Sequence, residues 1–201
     1  MKPGTKGRES RNRLLEAAIS LIAERGYRDT KVSDIVKKAE LTQAAFYLYF
    51  SGKEALFEEI SQLFYSRVNK YLQAAVLETE LPLKEAPERI RGNLEGLFSF
   101  FGEHPELTKI FLTEEKNSEA VEKLIHQTIV SNLMKNQASG FIRNDLSAEM
   151  IADCILGMFV QVILQAILVK RRDPKQVAHE FTRVLLFGLI HPSYSTGGAA
   201  P

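Results

Sequence analysis

Between Thr30 and Glu54 the apolar positions recur in two short bursts at helical spacing. Val32, Ile35, Val36 and Ala39 form one stripe beside the polar Ser33, Asp34, Lys37 and Lys38, which predicts a short amphipathic helix. Thr30 is placed to cap it, its hydroxyl accepting from an otherwise unpaired backbone N–H. The pattern breaks at Glu40 and Leu41 and restarts at Thr42, a second cap residue, whose helix carries Ala45, Phe46 and Tyr47 into Leu48, Tyr49 and Phe50. Ser51 and Glu54 match the S-x-x-E capping box at the start of a longer helix. Ahead of this stretch, Leu14, Ala17, Ala18, Leu21 and Ile22 mark the buried face of a helix over Arg8–Arg25. Gly26 ends that helix, and Tyr27 folds back onto the hydrophobic layer.

Further along the chain the period stays helical. Leu56, Phe57, Ile60, Phe64, Val68, Tyr71 and Leu72 predict a helix from Ser51 to about Glu78. Pro87 to Phe101 gives another, and Pro105 to Leu112 a short one. Ser118 is placed to cap a helix that stops near Gly140, and Ser147 one that lasts to about Arg171. Asp173-Pro174 starts a last helix through Leu189. With no strand pattern, the reading is all-α. Residues 1–53 form a three-helix helix-turn-helix DNA-binding domain, and 54–192 a larger helical effector-binding and dimerisation domain. Residues 193–201 form a disordered tail, and Met1–Gly7 a mobile basic arm.

Helix, short turn, helix is the geometry that lays a second helix in the major groove. Thr42, Gln43, Ala44 and Ala45 stand at its leading end. Gln can bond an adenine edge bidentately, and an Ala methyl can meet a thymine methyl. Tyr47, Tyr49 and Lys53 are placed for phosphates, with Thr30 and Lys31 as further candidate contacts. Phe46 and Phe50 sit at offsets that make them core.

These residues resemble the DNA-binding domain of the tetracycline-repressor (TetR) family of bacterial regulators. The likeness runs over Arg13 to Gly26, then through Thr30, Val32, Asp34, Ile35, Ala39, Leu41, Thr42, Phe46, Tyr47, Phe50, Lys53, Glu54 and Leu56. Glu40 stands where that family has Gly, and Val36 where it prefers Ala; a left-handed backbone at Glu40 would cost about 1–2 kcal/mol. The resemblance implies a homodimer on a palindromic double-stranded operator, with a small-molecule effector held in the C-terminal helical domain.

Charge sharpens the division. A net charge of +1 conceals 11 Lys and Arg against 6 Asp and Glu in residues 1–53, and 15 against 19 in the remainder. A basic head on an acidic body suits a phosphate-binding module. The 45% hydrophobic and 25% charged content is that of a globular protein, and the lone Cys154 fits a reducing, cytoplasmic setting. Met150 to Val169 is long enough for a membrane span, but Asp153, Gln161 and Gln165 would be costly there. No membrane partner is expected. Both faces of this stretch are apolar, Ile151, Ile155 and Phe159 against Leu156, Ile163 and Ile167, which asks for a second protein surface. A four-helix, two-fold interface between two chains answers it.

For the effector, expected to be hydrophobic or aromatic, Phe98, Phe101, Phe111, Met134 and Met158 are candidate lining. His104, Gln161 or Gln165 would orient it. His104, His126, His179 and His191 lie far apart with no partner Cys, so neither a metal site nor a cofactor is expected. Cys154 lies in the most apolar helix, a poor setting for a nucleophile. No enzyme is indicated. A helical adaptor binding a partner protein, or an activator of the same fold, remains as an alternative.

Overall fold

A computed structural model describes residues 5–77, 81–113 and 115–188, without the side chains at 5–6, 83 and 113–122. The expected mobile arm falls partly outside these bounds, as do the disordered tail, the end of the last helix at Leu189, and His191. The described residues are helical, with no strand. The helices are α1 (Thr5–Arg25), α2 (Val32–Lys38), α3 (Gln43–Tyr47), α4 (Lys53–Ala74), α5 (Ala86–Glu103), α6 (Pro105–Thr113), α7 (Glu115–Ala138), α8 (Ala148–Val162) and α9 (Pro174–Phe187).

Two compact units share this chain. The first holds α1 to α3, α4 as far as Lys70, α6, and α7 as far as Ile125. Its core is most of the set the spacing predicts, with Leu21 and Val32 only half-buried and Leu15 buried in addition. Leu14, Ala18 and Ile22 are buried with Ile35 and Val36, Phe46 and Phe50, and Leu56, Phe57 and Ile60. From α6, Phe111 stacks on Phe64 with ring centres 4.2 Å apart and on Phe57 at 6.3 Å. Lys109 on the same helix donates to Ala23 O at 2.8 Å, a cation on the carbonyl end of α1 where the helix dipole favours it.

The second unit holds the end of α4 from Tyr71, α5, α7 from His126, α8 and α9. Phe98 lies 5.0 Å from Phe159 and 5.7 Å from Phe181, with Phe101 6.0 Å from Phe159, so α5, α8 and α9 meet in one aromatic cluster. A Cβ at Gly96 would stand 2.7 Å from the Tyr71 ring; only glycine lets α5 approach α4 this closely. Ser147 caps α8 by accepting from Met150 N, and Asp173 with Pro174 opens α9, both as the sequence predicts.

Several helix ends differ from expectation. Helix α1 begins at Thr5, three residues early. Thr30 does not cap α2: its hydroxyl donates to Gly26 O at 2.8 Å, and Lys31 holds the cap position without a side-chain bond. Helix α4 starts at Lys53, with Leu56 N donating to Gly52 O, and stops at Ala74. Ser118 lies inside α7 instead of starting it. The helix begun at Ala148 widens to a π-helix over Ile163–Val169. Ile163 and Ile167, four apart on one face, are both buried.

Candidate nucleic-acid interface

The turn between α2 and α3 is built by backbone hydrogen bonds. Glu40 N donates to Lys37 O and Leu41 N to Val36 O, a Schellman end in which Glu40 takes φ 52°. The strain foreseen for a non-glycine residue here is therefore real. The Glu40 carboxylate reaches Arg13 at 3.1 Å. Arg25 and Asp34, 2.8 Å apart, tie the end of α1 to α2.

Thr42 caps α3, accepting from Ala45 N at 3.1 Å. Phe46 is fully buried and meets Phe50 at 5.6 Å, which locks the rotation of this short helix about its axis. Thr42, Gln43, Ala44 and Tyr47 are in consequence exposed, and Ala45 and Tyr49 half-buried. Lys31 is exposed as well. Thr30 has no exposed surface and cannot touch DNA through its side chain; its role is to close the α1–α2 corner. Leu48 was not among the candidates, yet at 79% exposure it is the most open large apolar residue among those described. Its two-residue offset from both Phe46 and Phe50 was the available signal.

Lys53 is half-buried. Its ammonium donates to Tyr27 O and Thr30 O and lies over the Tyr27 ring. Burial pushes the Tyr27 phenol up to about 12, helped by the charge of Glu54 and the hydrogen bond its carboxylate accepts.

The candidate effector residues divide between the two units. Phe98 and Phe101 belong to the aromatic cluster of the second unit, whereas Phe111 is in the core of the first. His104 is exposed in the break before α6, and Gln161 is exposed on α8 with Met158 half-buried. Met134 lines an open groove of about 540 Å³ with His126, Val130 and Glu149. Periodicity shows which face of a helix is apolar but not which helix it meets. Cys154 is exposed, against the buried setting expected from its neighbours.

A short helix clamped by buried aromatics, its leading residues turned outward behind a tight turn, defines a helix-turn-helix DNA-binding transcription regulator. Residues 14–60 match the family model for bacterial regulatory proteins of the tetR family. The chain is 37% identical to YdgC of Bacillus subtilis (strain 168), an uncharacterized HTH-type transcriptional regulator, over 92% of this chain and 95% of that one. It belongs to the TetR family. It is also 27% identical to the HTH-type transcriptional repressor DhaR of Mycobacterium sp. (strain GP1), over 82% of this chain and 85% of DhaR. The fold is that of the regulator FadR from Bacillus subtilis, solved in complex with stearoyl-CoA. That match has a TM-score of 0.66 at 22% identity and covers 89% of this chain and 98% of FadR.

Proposed function

We propose that this regulator is a repressor that binds a palindromic operator as a homodimer and is released by an apolar or aromatic small molecule. Residues 1–53 are assigned to DNA, and 54–192 to effector binding and dimerisation. One observation carries the reading: Phe46 is buried, so Thr42, Gln43, Ala44 and Tyr47 face outward from α3. Gln43 is assigned to an adenine edge, the alanines to thymine methyls, and Lys31, Tyr47 and Tyr49 to phosphates.

The homodimer is supported by what one chain leaves open. Ala148–Val169 is apolar enough to cross a membrane by length and composition, yet only 17% of its most apolar window is buried. Met150, Val169 and Phe187 are 58%, 68% and 66% exposed. A second copy of α8 and α9 covers this surface and sets two reading heads at the spacing of a two-fold operator. For the effector we assign the cluster of Phe98, Phe101 and Phe159, whose apolar chemistry suits an acyl chain or an aromatic ring. An effector that prefers the head spacing unsuited to DNA shifts the population away from the operator. DhaR, by its name, is a repressor, and FadR carries an acyl thioester.

The test is selection of a random duplex library on the purified full-length protein, followed by transcription from a promoter carrying the recovered site. Repression, relieved by an acyl-CoA or an aromatic acid that lowers operator affinity, is the expected result. Lower transcription on deleting the protein, or recovery of no palindrome, overturns it.

A further inference from the structure

Lys53 stands at the first residue of α4, where a cation opposes the helix dipole. Its surroundings offset that. The ammonium donates to the carbonyl oxygens of Tyr27 and Thr30, both at 2.8 Å, and sits 4.2 Å from the centre of the Tyr27 ring. Tyr27 and Thr30 are the two ends of the turn between α1 and α2, closed by Thr30 N donating to Tyr27 O at 3.3 Å. The neighbouring Glu54 takes the Tyr27 hydroxyl at 3.2 Å, and the Tyr27 ring, 4% exposed, packs 4.6 Å from Phe57. An ammonium has three donors. Two serve the turn, and an aromatic face closes a further side.

We propose that Lys53 is a positioning residue. It ties the α1–α2 turn to the start of α4, so that α2 and α3 are held in the arrangement sequence recognition needs, and it does not neutralise a phosphate. This rests on the DNA-binding reading above. Charge-assisted bonds are about twice as strong as neutral ones, and through two of them Lys53 joins both ends of the turn to α4, whereas the Tyr27 hydroxyl on Glu54 ties one end alone. A loosened turn costs specific recognition, which depends on geometry. It spares non-specific binding, which depends on the count of phosphate contacts.

The two roles separate on one experiment. Full-length wild type, Lys53→Met, Lys53→Gln and Tyr27→Phe are titrated against a duplex recovered by selection and against its scrambled counterpart, over a range of salt and well below every unfolding midpoint. A positioning role predicts that Lys53→Met loses about tenfold or more on the selected duplex, with scrambled binding and the salt slope essentially kept. Lys53→Gln, which retains two N–H donors without charge, recovers part of the loss. Tyr27→Phe, which retains the ring and the carbonyls, stays near wild type. A phosphate contact predicts that both duplexes weaken together, that the salt slope falls by about 1 per head, and that Gln is no better than Met. That result, or no loss in Lys53→Met, overturns the proposal. If wild type prefers no duplex over its scrambled form, the DNA-binding reading itself falls, and this inference with it.

Discussion

Helix α4 ends at Ala74, and two asparagines from α7 bond the backbone around that end. Asn136 donates from Nδ2 to Ala75 O at 3.1 Å and accepts at Oδ1 from Leu77 N at 3.0 Å; Asn132 donates to Leu72 O at 2.6 Å. Both asparagines are 6% exposed, and Leu77 is 4% exposed. Replacing Asn136 by Ala strands the buried Leu77 N–H, while the half-buried Ala75 carbonyl is left open to water. At about 1–3 kcal/mol for one stranded buried group, the loss is about 1–3 kcal/mol. Asn132→Ala leaves Leu72 O with the bond it accepts from Ala75 N and removes one hydrogen bond, so it should cost only about 0.5–1.5 kcal/mol. Urea unfolding followed by far-UV circular dichroism reads both, at one fixed protein concentration because an associating chain has a concentration-dependent midpoint. The midpoint should fall while the m-value stays constant. A loss below about 0.5 kcal/mol for Asn136→Ala would show that water replaces the amide and would refute the accounting.

Three further outcomes are expected. Glu40→Gly relieves the left-handed backbone at the helix-turn-helix corner at the cost of one exposed ion pair, and should stabilise by about 1 kcal/mol; a lower melting temperature would count against it. Val169→Asp with Phe187→Asp puts charge on the open apolar surface, and sedimentation should find monomer with operator affinity lost; an intact dimer would move the interface elsewhere. Raising the Tyr27 phenol from 10.0 to about 12 contributes stability that is fully present below pH 10 and lost as pH rises through 12. Tyr27→Phe should therefore lose less stability than wild type over that interval, by an amount of about 2 kcal/mol; equal losses would mean the phenol is not held in its neutral form.

The reading head was legible because it is local. A cap, a turn and a hydrophobic stripe act over fewer than ten residues, so Ile35, Val36, Ala39, Phe46 and Phe50 could be assigned to a core by spacing alone, with Val32 half-buried at its edge. Pairings across the chain were not. Thr30 has the composition of a cap, and only its contact with Gly26 shows that it closes a corner instead. Lys53 carries the charge of a phosphate contact, and only the folded chain brings it to the carbonyls of Tyr27 and Thr30. Phe111 and Phe98 share one chemistry and belong to different units.

What the amino-acid order determined unaided is the all-helical class, most helix bounds to within a few residues, the helix-turn-helix and its family. Each follows from interactions between residues close in sequence. Tertiary structure alone decided which apolar faces meet, which remain open, and which polar groups are consumed internally. Burial and hydrogen bonding across tens of residues depend on where helices come to lie, and that is a property of the packed chain and not of any segment within it.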